Sequence, residues 1–212
     1  MKIVQLGGMI LPLVFCAAMQ ANASVVIPMA VIDFESLAQD NADVNSHGAI
    51  YSEDGYRLEN LATAENSGFD PSFSSYGTLA GDFSVSTSLM NDNYLGITRL
   101  SAINGSLFSM YSIDVSEISQ ASAYTDTITF HGITFDGSDV YQSFGIDGVF
   151  GNETLYFDIT FGDLVQVEWE NPSNFVQFDN ITASPVPVPS SILLFGTVLT
   201  ALAAAGKRRK QS

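Results

Sequence analysis

The chain has 212 residues, a length that accommodates one domain with flanking processing segments. It carries 23 acidic and 7 basic residues for a formal net charge of −16, and every acid lies between Asp33 and Asp179. Because proteins bind phosphate backbones largely through Lys and Arg, this balance excludes nucleic acid as a partner and leaves cations, neutral sugars and basic surfaces.

The amino-terminal segment has the order of residues found in a secretory signal peptide. Lys2 precedes an apolar run, and an A-x-A pattern ends at Ala23. This order predicts cleavage after Ala23 and assigns residues 1–23 to the signal peptide, with a retained membrane anchor as the alternative. Cys16 is the only cysteine and would leave with that peptide. The mature body would therefore have no disulfide, thiol nucleophile or thiolate ligand.

Residues 24–184 show the period-two alternation of a β-protein. Hairpins are predicted at Asp54-Gly55 and at Asp136-Gly137, and one continuous alternation is predicted for residues 107–115. Residues 62–91 are rich in Ser and Gly and predict a long surface loop with one short strand. Eight to ten strands separated by turn residues indicate an all-β sandwich.

The sequence contains no recognisable catalytic arrangement. His47 and His131 are the only histidines, predicted in a loop and in a strand, and no G-x-S-x-G turn accompanies them. Glu168 and Glu170 flank Trp169, and a strand would place both acids on one face with the indole opposite. We therefore expect no enzyme. A polysaccharide hydrolase with an unidentified acid pair is the alternative.

Two kinds of ligand site remain as candidates. Trp169, the only tryptophan, is a candidate platform for a sugar ring, although a core position explains it as well. Further aromatic candidates near turns are Tyr51, Tyr56, Tyr76, Tyr94, Tyr124 and Tyr141.

Calcium needs six to eight oxygen ligands, and Glu35 and Asp179 would share an ion if the first and last strands are neighbours. The alternative for this pair is that its carboxylates hold no ion.

The carboxyl-terminal segment, residues 185–212, predicts a membrane span. Ser190–Gly206 is apolar and would measure about 25 Å as a helix, slightly short of a hydrocarbon core of about 30 Å. Alternate prolines before it predict an extended spacer. Four consecutive cations would stop transfer and keep the terminus in the cytoplasm, namely Lys207, Arg208, Arg209 and Lys210.

This tail resembles the PEP-CTERM sorting signal of Gram-negative bacteria, also catalogued as the ice-binding protein C-terminal domain, which has a Val-Pro-Glu-Pro-type motif before a short apolar helix and a basic end. The motif covers Val186, Pro187, Val188, Pro189 and Ser190, and all of these except Val188 match the family pattern. Val188 stands where the family most often has Glu. The resemblance implies an exosortase-type partner that removes the tail after inner-membrane anchoring and delivers the body to the cell surface or exopolysaccharide matrix.

The body resembles the jelly-roll domains that precede such tails, many carbohydrate-binding modules among them, in the motifs DFESL, SIDVSEI, TITFHGIT and VQFDNIT. The resemblance implies a jelly-roll-like sandwich and a structural calcium held by an early acid and an Asp on the final strand. Together these features predict an exported, non-enzymatic surface or matrix protein with weak, calcium-assisted carbohydrate binding. A hydrolase and a purely structural matrix protein are the alternatives.

Overall fold

The computed structural model describes residues 29–61, 71–93, 95–118, 126–170 and 176–186. The predicted signal peptide, residues 1–23, lies outside these ranges, as does all of the predicted sorting segment after Val186. Within the described ranges no helix has the length and apolarity needed to cross a membrane.

Thirteen strands are present in the described residues, more than the predicted eight to ten, because several have only three or four residues. The first seven are β1 (Ala30–Ile32), β2 (Val44–Gly48), β3 (Ile50–Glu53), β4 (Tyr56–Leu61), β5 (Phe73–Tyr76), β6 (Leu89–Asn91) and β7 (Ile97–Ala102). The others are β8 (Phe108–Glu117), β9 (Asp126–Thr134), β10 (Asp139–Ile146), β11 (Glu153–Tyr156), β12 (Leu164–Glu170) and β13 (Val176–Pro185).

The strands form two antiparallel layers. The first layer has the order β2-β5-β6-β13-β8-β11, with β1 also paired to β13. The second layer has the order β3-β4-β7-β12-β9-β10. A single residue pair, Leu164 of β12 with Phe108 of β8, joins the layers into one hydrogen-bonded path. The predicted all-β sandwich is confirmed, and the chain crosses repeatedly between its layers, as it does in jelly rolls.

Aromatic rings fill the space between the two layers. Trp169 of β12 meets Phe178 of β13 edge-on at a centroid distance of 5.2 Å, and Tyr56 of β4 meets Phe108 of β8 at 5.5 Å. Neither pair of strands is hydrogen-bonded, so both ring contacts pass from one layer to the other. Edge-to-face pairs add about 0.5–1.5 kcal/mol beyond the free energy of burying their area.

A buried amide network also connects the layers. Asn60 of β4 donates from Nδ2 to Oδ1 of Asn91 in β6 at 2.9 Å, and Nδ2 of Asn91 donates to Oγ1 of Thr98 in β7 at 3.2 Å. Nδ2 of Asn93 donates to Oδ1 of Asn60 at 3.3 Å. All four side chains are buried. Because an unpaired buried amide is costly, the network makes polar residues tolerable inside the sandwich.

Both predicted hairpins are confirmed. β3 and β4 pair on either side of Asp54-Gly55, and β9 and β10 pair on either side of the turn at Asp136-Gly137. Gly55 has φ of 85° and Gly137 has φ of 82°. Glycine adopts this left-handed conformation without the steric cost of a Cβ atom, which is why an Asp-Gly dipeptide marks these turns so clearly.

The prediction that residues 62–91 form a surface loop with one short strand is wrong. The described part of this segment contains β5 and β6, which lie inside the first layer. Ser74 and Ser75 of β5 are buried, with hydroxyls that contact Asp92 and Nε2 of His47. His47 itself lies in β2 and not in the predicted loop. Polar composition indicates exposure only when the side chains have no protein partners.

The single alternation predicted for residues 107–115 is also wrong. Met110 and Ile113 both face the core although they are three residues apart. The alternation of inward and outward side chains therefore shifts by one residue between them. The neighbouring β13 shifts register opposite this stretch, close to Asn180, whose φ is 47°. An irregularity of this kind is a β-bulge, which turns the following side chains to the other face.

Candidate functional site

An aromatic stack lies at the β10 edge of the second layer. Tyr141 of β10 and His131 of β9 are cross-strand partners, and their rings are stacked with centroids 4.6 Å apart and an interplanar angle of 7°. Tyr141 is 63% exposed. Its chain neighbour Val140 packs on the core, so Tyr141 points outward. No described strand pairs with β10 beyond Tyr141, so adjacent strands leave the second ring face uncovered.

A row of charged side chains continues from this stack across the same outer face. Glu168 of β12 is paired with His131, Arg99 of β7 with Glu168, and Glu59 of β4 with Arg99. Nη2 of Arg99 lies 2.7 Å from Oε1 of Glu168, and Nη1 lies 3.9 Å from Glu59. Strands are spaced about 4.8 Å apart, so the row from β10 to β4 is roughly 19 Å long.

Small polar groups surround the exposed ring. Oδ1 of Asp139 lies 2.7 Å from Nε2 of His131, and the hydroxyls of Thr129 and Ser143 are 2.8 Å apart on the same face. An aromatic ring flanked by a few oriented donors and acceptors matches the chemistry of a pyranose, which has an apolar ring face and equatorial hydroxyls. We call this surface, formed by Tyr141, His131, Glu168, Arg99 and Glu59, the outer face.

Trp169 does not lie on the outer face. It is 5% exposed, with its ring 5.5 Å from Phe130 and 5.2 Å from Phe178. Glu168 and Glu170 point away from the core on either side of it, as the predicted alternation requires. A sugar therefore does not reach the indole in this fold, whereas the ring of Tyr141 is exposed.

Sequence reasoning includes Tyr141 among six tyrosines near turns without separating it from the others. Tyr56, from the same set, is buried in the core. The distinguishing signal is the hairpin at Asp136-Gly137, because its turn fixes the register that brings His131 opposite Tyr141. Two aromatic rings opposite each other on the polar side of a hairpin indicate an exposed stack.

The structure brings Glu35 and Asp179 to one place. β1 pairs with β13, which is the neighbour relation that the calcium prediction requires. Glu35 begins a 3-10 turn just after β1 and accepts hydrogen bonds from the backbone N–H of Thr87 at 3.0 Å and from its Oγ1 at 3.1 Å. Asp179 of β13 accepts a short hydrogen bond from Ser86. Both carboxylates thus contact the same two-residue segment.

Asp179 is 2% exposed, and burial raises the pKa of its carboxyl group to about 6. The hydrogen bonds from Ser86 and from the N–H of Asn180 oppose this rise, whereas the negative charges of Glu35 and Asp114 add to it. None of the ion pairs among the described residues involves these three acids. These three acids are short of balancing positive charge, which a bound cation would supply.

The donor atoms at this pair fit calcium. Carboxylate oxygens are its preferred protein ligands, and an oxygen that accepts one hydrogen bond keeps a second lone pair for an ion. Glu35 and Asp179 would be the ligands. Calcium at this pair stays a prediction.

The predicted sorting motif meets the folded body at one residue. The N–H of Val186 donates to the carbonyl of Leu107 at 2.8 Å, so backbone hydrogen bonding reaches the first motif position. The other motif residues and the membrane stop lie outside the described residues, namely Pro187, Val188, Pro189, Ser190, Lys207, Arg208, Arg209 and Lys210.

No protein-family model and no curated protein matches the chain. Similar solved structures include a family 29 carbohydrate-binding module from Piromyces equi, 15% identical, with 76% of this chain and 93% of that chain covered and a TM-score of 0.38. The CBM22-1 xylan-binding domain from Paenibacillus barcinonensis is 12% identical, with 76% and 97% covered and a TM-score of 0.38. A family 11 module from Clostridium thermocellum, solved with a β-1,3-1,4-mixed-linked tetrasaccharide, is 12% identical, with 74% and 95% covered and a TM-score of 0.30. At identities and TM-scores this low, no residue role or ligand is transferred from these proteins to this chain.

Proposed function

We propose that the protein is an exported, non-enzymatic component of the cell surface or extracellular matrix whose outer face binds polysaccharide weakly. The observation that carries the proposal is the Tyr141–His131 stack, an exposed aromatic platform next to a polar row on a rigid sheet. A polysaccharide chain lying along this row would place one sugar ring on Tyr141 and its hydroxyls near Asp139 and Glu168.

Rigidity of the sheet supports binding by this open surface. The outer face is built from regular strands, and its arginine is held by an ion pair with Glu168 at 2.7 Å. Side chains already fixed in the free protein lose less conformational entropy when a ligand binds, which helps a shallow site. The expected affinity is low, because a flat face covers only one side of a sugar chain.

Calcium would act on the fold and not on the sugar. Glu35 and Asp179 lie at the β1–β13 pair of the first layer, whereas the outer face belongs to the second layer. An ion at this pair would neutralise buried carboxylates and hold the Ser86–Thr87 segment against β13. Chelation would therefore reduce polysaccharide binding indirectly, by loosening the sandwich.

The positions of the acids favour a non-catalytic role over the alternative hydrolase. A glycosidase needs a protonated acid and a second carboxylate that both reach the glycosidic bond. Asp179 has the raised pKa of a proton donor, but it is buried and cannot touch a polymer. Glu168 is exposed to the outer face, but Arg99 is ion-paired with it.

Binding is tested by pull-down on a panel of insoluble polysaccharides, including exopolysaccharide from the producing organism. Tyr141→Ala should reduce binding at least about tenfold, since one aromatic–sugar contact of about 1.4 kcal/mol changes affinity by that factor. Tyr156→Ala is the matched control, because Tyr156 is 72% exposed on β11 and away from the outer face. Equal binding by both variants would refute the assignment of the outer face. Release of reducing sugar would favour the hydrolase.

Export and sorting are tested in cells. We expect the protein to reach the cell surface or matrix without its tail, and to stay in the inner membrane when the exosortase is deleted. Val188→Glu, which restores the common motif, should be processed at least as well as the natural sequence. Protein found in the cytosol with both termini intact would overturn this part of the proposal.

A further inference from the structure

Three carboxylates meet at one end of the sandwich, at a place separate from both the outer face and the Glu35–Asp179 pair. Glu117 is the last residue of β8, Asp147 follows the end of β10, and Glu153 is the first residue of β11. One ligand oxygen from each lies within 4.8 Å of the others. We call these three residues the Glu117 cluster.

The loop from Asp147 to Asn152 holds the cluster together and takes the chain from the second layer to the first. The N–H of Gly148 donates to Oε1 of Glu117 at 2.8 Å, and the N–H of Val149 donates to Oδ1 of Asp147 at 2.8 Å. The N–H of Asp147 donates to Oε1 of Glu153 at 3.2 Å. Each carboxylate therefore accepts an N–H of the loop backbone with one of its two oxygens.

A buried carboxylate oxygen without a partner points to what the cluster holds. Glu117 is 1% exposed, and its Oε2 has no hydrogen-bond donor among the described residues. Oδ1 of Asn152, next to Glu153, is also buried without a donor. Leaving a buried charged oxygen unpaired is costly, so native proteins pair such atoms with donors or with metal ions.

In the described parts of the chain, no ion pair brings a positive charge to the cluster. The ion pairs of the described residues involve Arg57, Arg99 and His131, all in the second layer and none with a member of the cluster. Three acids kept this close in the absence of a cation repel one another.

We propose that the Glu117 cluster binds a hard divalent cation, with calcium as the ion of choice. The ligands would be Oε2 of Glu117, one oxygen each of Asp147 and Glu153, and Oδ1 of Asn152, with water completing the six to eight oxygens on the exposed side of Asp147. The ion would fix the connection between β10 and β11. It would thereby tie the second layer to the first through β8.

Asp147→Asn is the sharpest variant, because Asn can still accept the hydrogen bond from Val149 while it removes one ligand charge. Calcium binding to the purified full chain is measured by titration calorimetry, with Asp54→Asn as the control for loss of a charge in an exposed turn. We expect Asp147→Asn and Glu153→Gln to weaken calcium binding on the order of tenfold or more, since charge count tunes calcium affinity. Asp54→Asn should bind like the wild type.

Stoichiometry separates this site from the Glu35–Asp179 pair. In an Asp179→Asn background one calcium should remain, and the further change Asp147→Asn should remove it. Manganese, as a paramagnetic substitute, should broaden the amide signals of Gly148 and Val149 first. Calcium affinity unchanged in Asp147→Asn and Glu153→Gln would overturn the proposal, and so would the absence of any calcium binding at millimolar concentration. Neither result bears on polysaccharide binding by the outer face.

Discussion

Replacing Asp179 with Asn should stabilise the calcium-free protein at neutral pH. The carboxyl group has a pKa of about 6 in the folded protein, against 3.8 for an unperturbed side chain. Each unit of difference corresponds to about 1.4 kcal/mol, so ionised Asp179 lowers the free energy of unfolding by about 3 kcal/mol at pH 7. Asn has nearly the same shape and carries no charge that burial would penalise.

The direction of the pH dependence follows from the raised pKa. The folded protein holds the proton more tightly than the unfolded chain does, so this group stabilises the fold fully below about pH 4. The contribution falls as the pH rises and is lost once the pH passes about 6. The advantage of Asp179→Asn over the wild type should therefore grow by about 2.4 kcal/mol between pH 4 and pH 7.

Urea unfolding in chelator, followed by the fluorescence of Trp169 across this pH range, measures the effect. Ser86→Ala is the control, because it removes a hydrogen bond that lowers the pKa of Asp179, and should move the transition to higher pH. A stability difference between Asp179→Asn and wild type that does not change with pH would refute the reasoning. Added calcium should reverse the ranking, because an ion at the Glu35–Asp179 pair stabilises only the protein that keeps the carboxylate, whereas an ion at the Glu117 cluster stabilises both proteins equally.

The remaining predictions concern the core and the bulge. Trp169→Ala should lower the free energy of unfolding by about 3–5 kcal/mol in urea titrations followed by circular dichroism, because the indole is buried between Phe130 and Phe178. Trp169→Phe should fold and keep polysaccharide binding; a folded Trp169→Phe protein that no longer binds would restore the indole as a ligand platform. Asn180→Ala should be about 1 kcal/mol less stable than Asn180→Gly, because φ is 47° and both variants lose the hydrogen bond to Asp114. Equal stability of these two variants would mean that the backbone at the bulge is not strained.

Local signals account for the parts of the fold that could be predicted. An Asp-Gly dipeptide specifies a turn by its own backbone preference, and alternation places Trp169 inside with Glu168 outside. Strand β5 could not be predicted in this way. Ser74 and Ser75 are buried because residues from distant parts of the chain, Asp92 and His47, bond to their hydroxyls. Such pairing leaves no trace in hydrophobic periodicity.

The candidate sites also differ in whether the sequence could predict them. The proximity of Glu35 and Asp179 follows from the pairing of the first and last strands, which the resemblance to jelly-roll domains implies. Glu117 gives no comparable signal. A single acid at the end of a strand is usually solvated, and its burial depends on a loop that returns some thirty residues later. Only the folded chain reveals that its second oxygen has no hydrogen-bond donor within the described parts of the structure.

The amide network of Asn60, Asn91 and Asn93 sets the alignment of the two layers. The hydrophobic effect is non-directional, so an interior held together by burial alone would allow one layer to slide on the other. Moving β6 by one residue would turn Asn91 to the opposite face and leave its hydrogen-bond partners unpaired in the interior. Each unpaired group would cost about 1–3 kcal/mol. A misaligned sandwich would therefore lose several buried hydrogen bonds at once. For this reason the chain reaches a single alignment of its two layers without the help of disulfides.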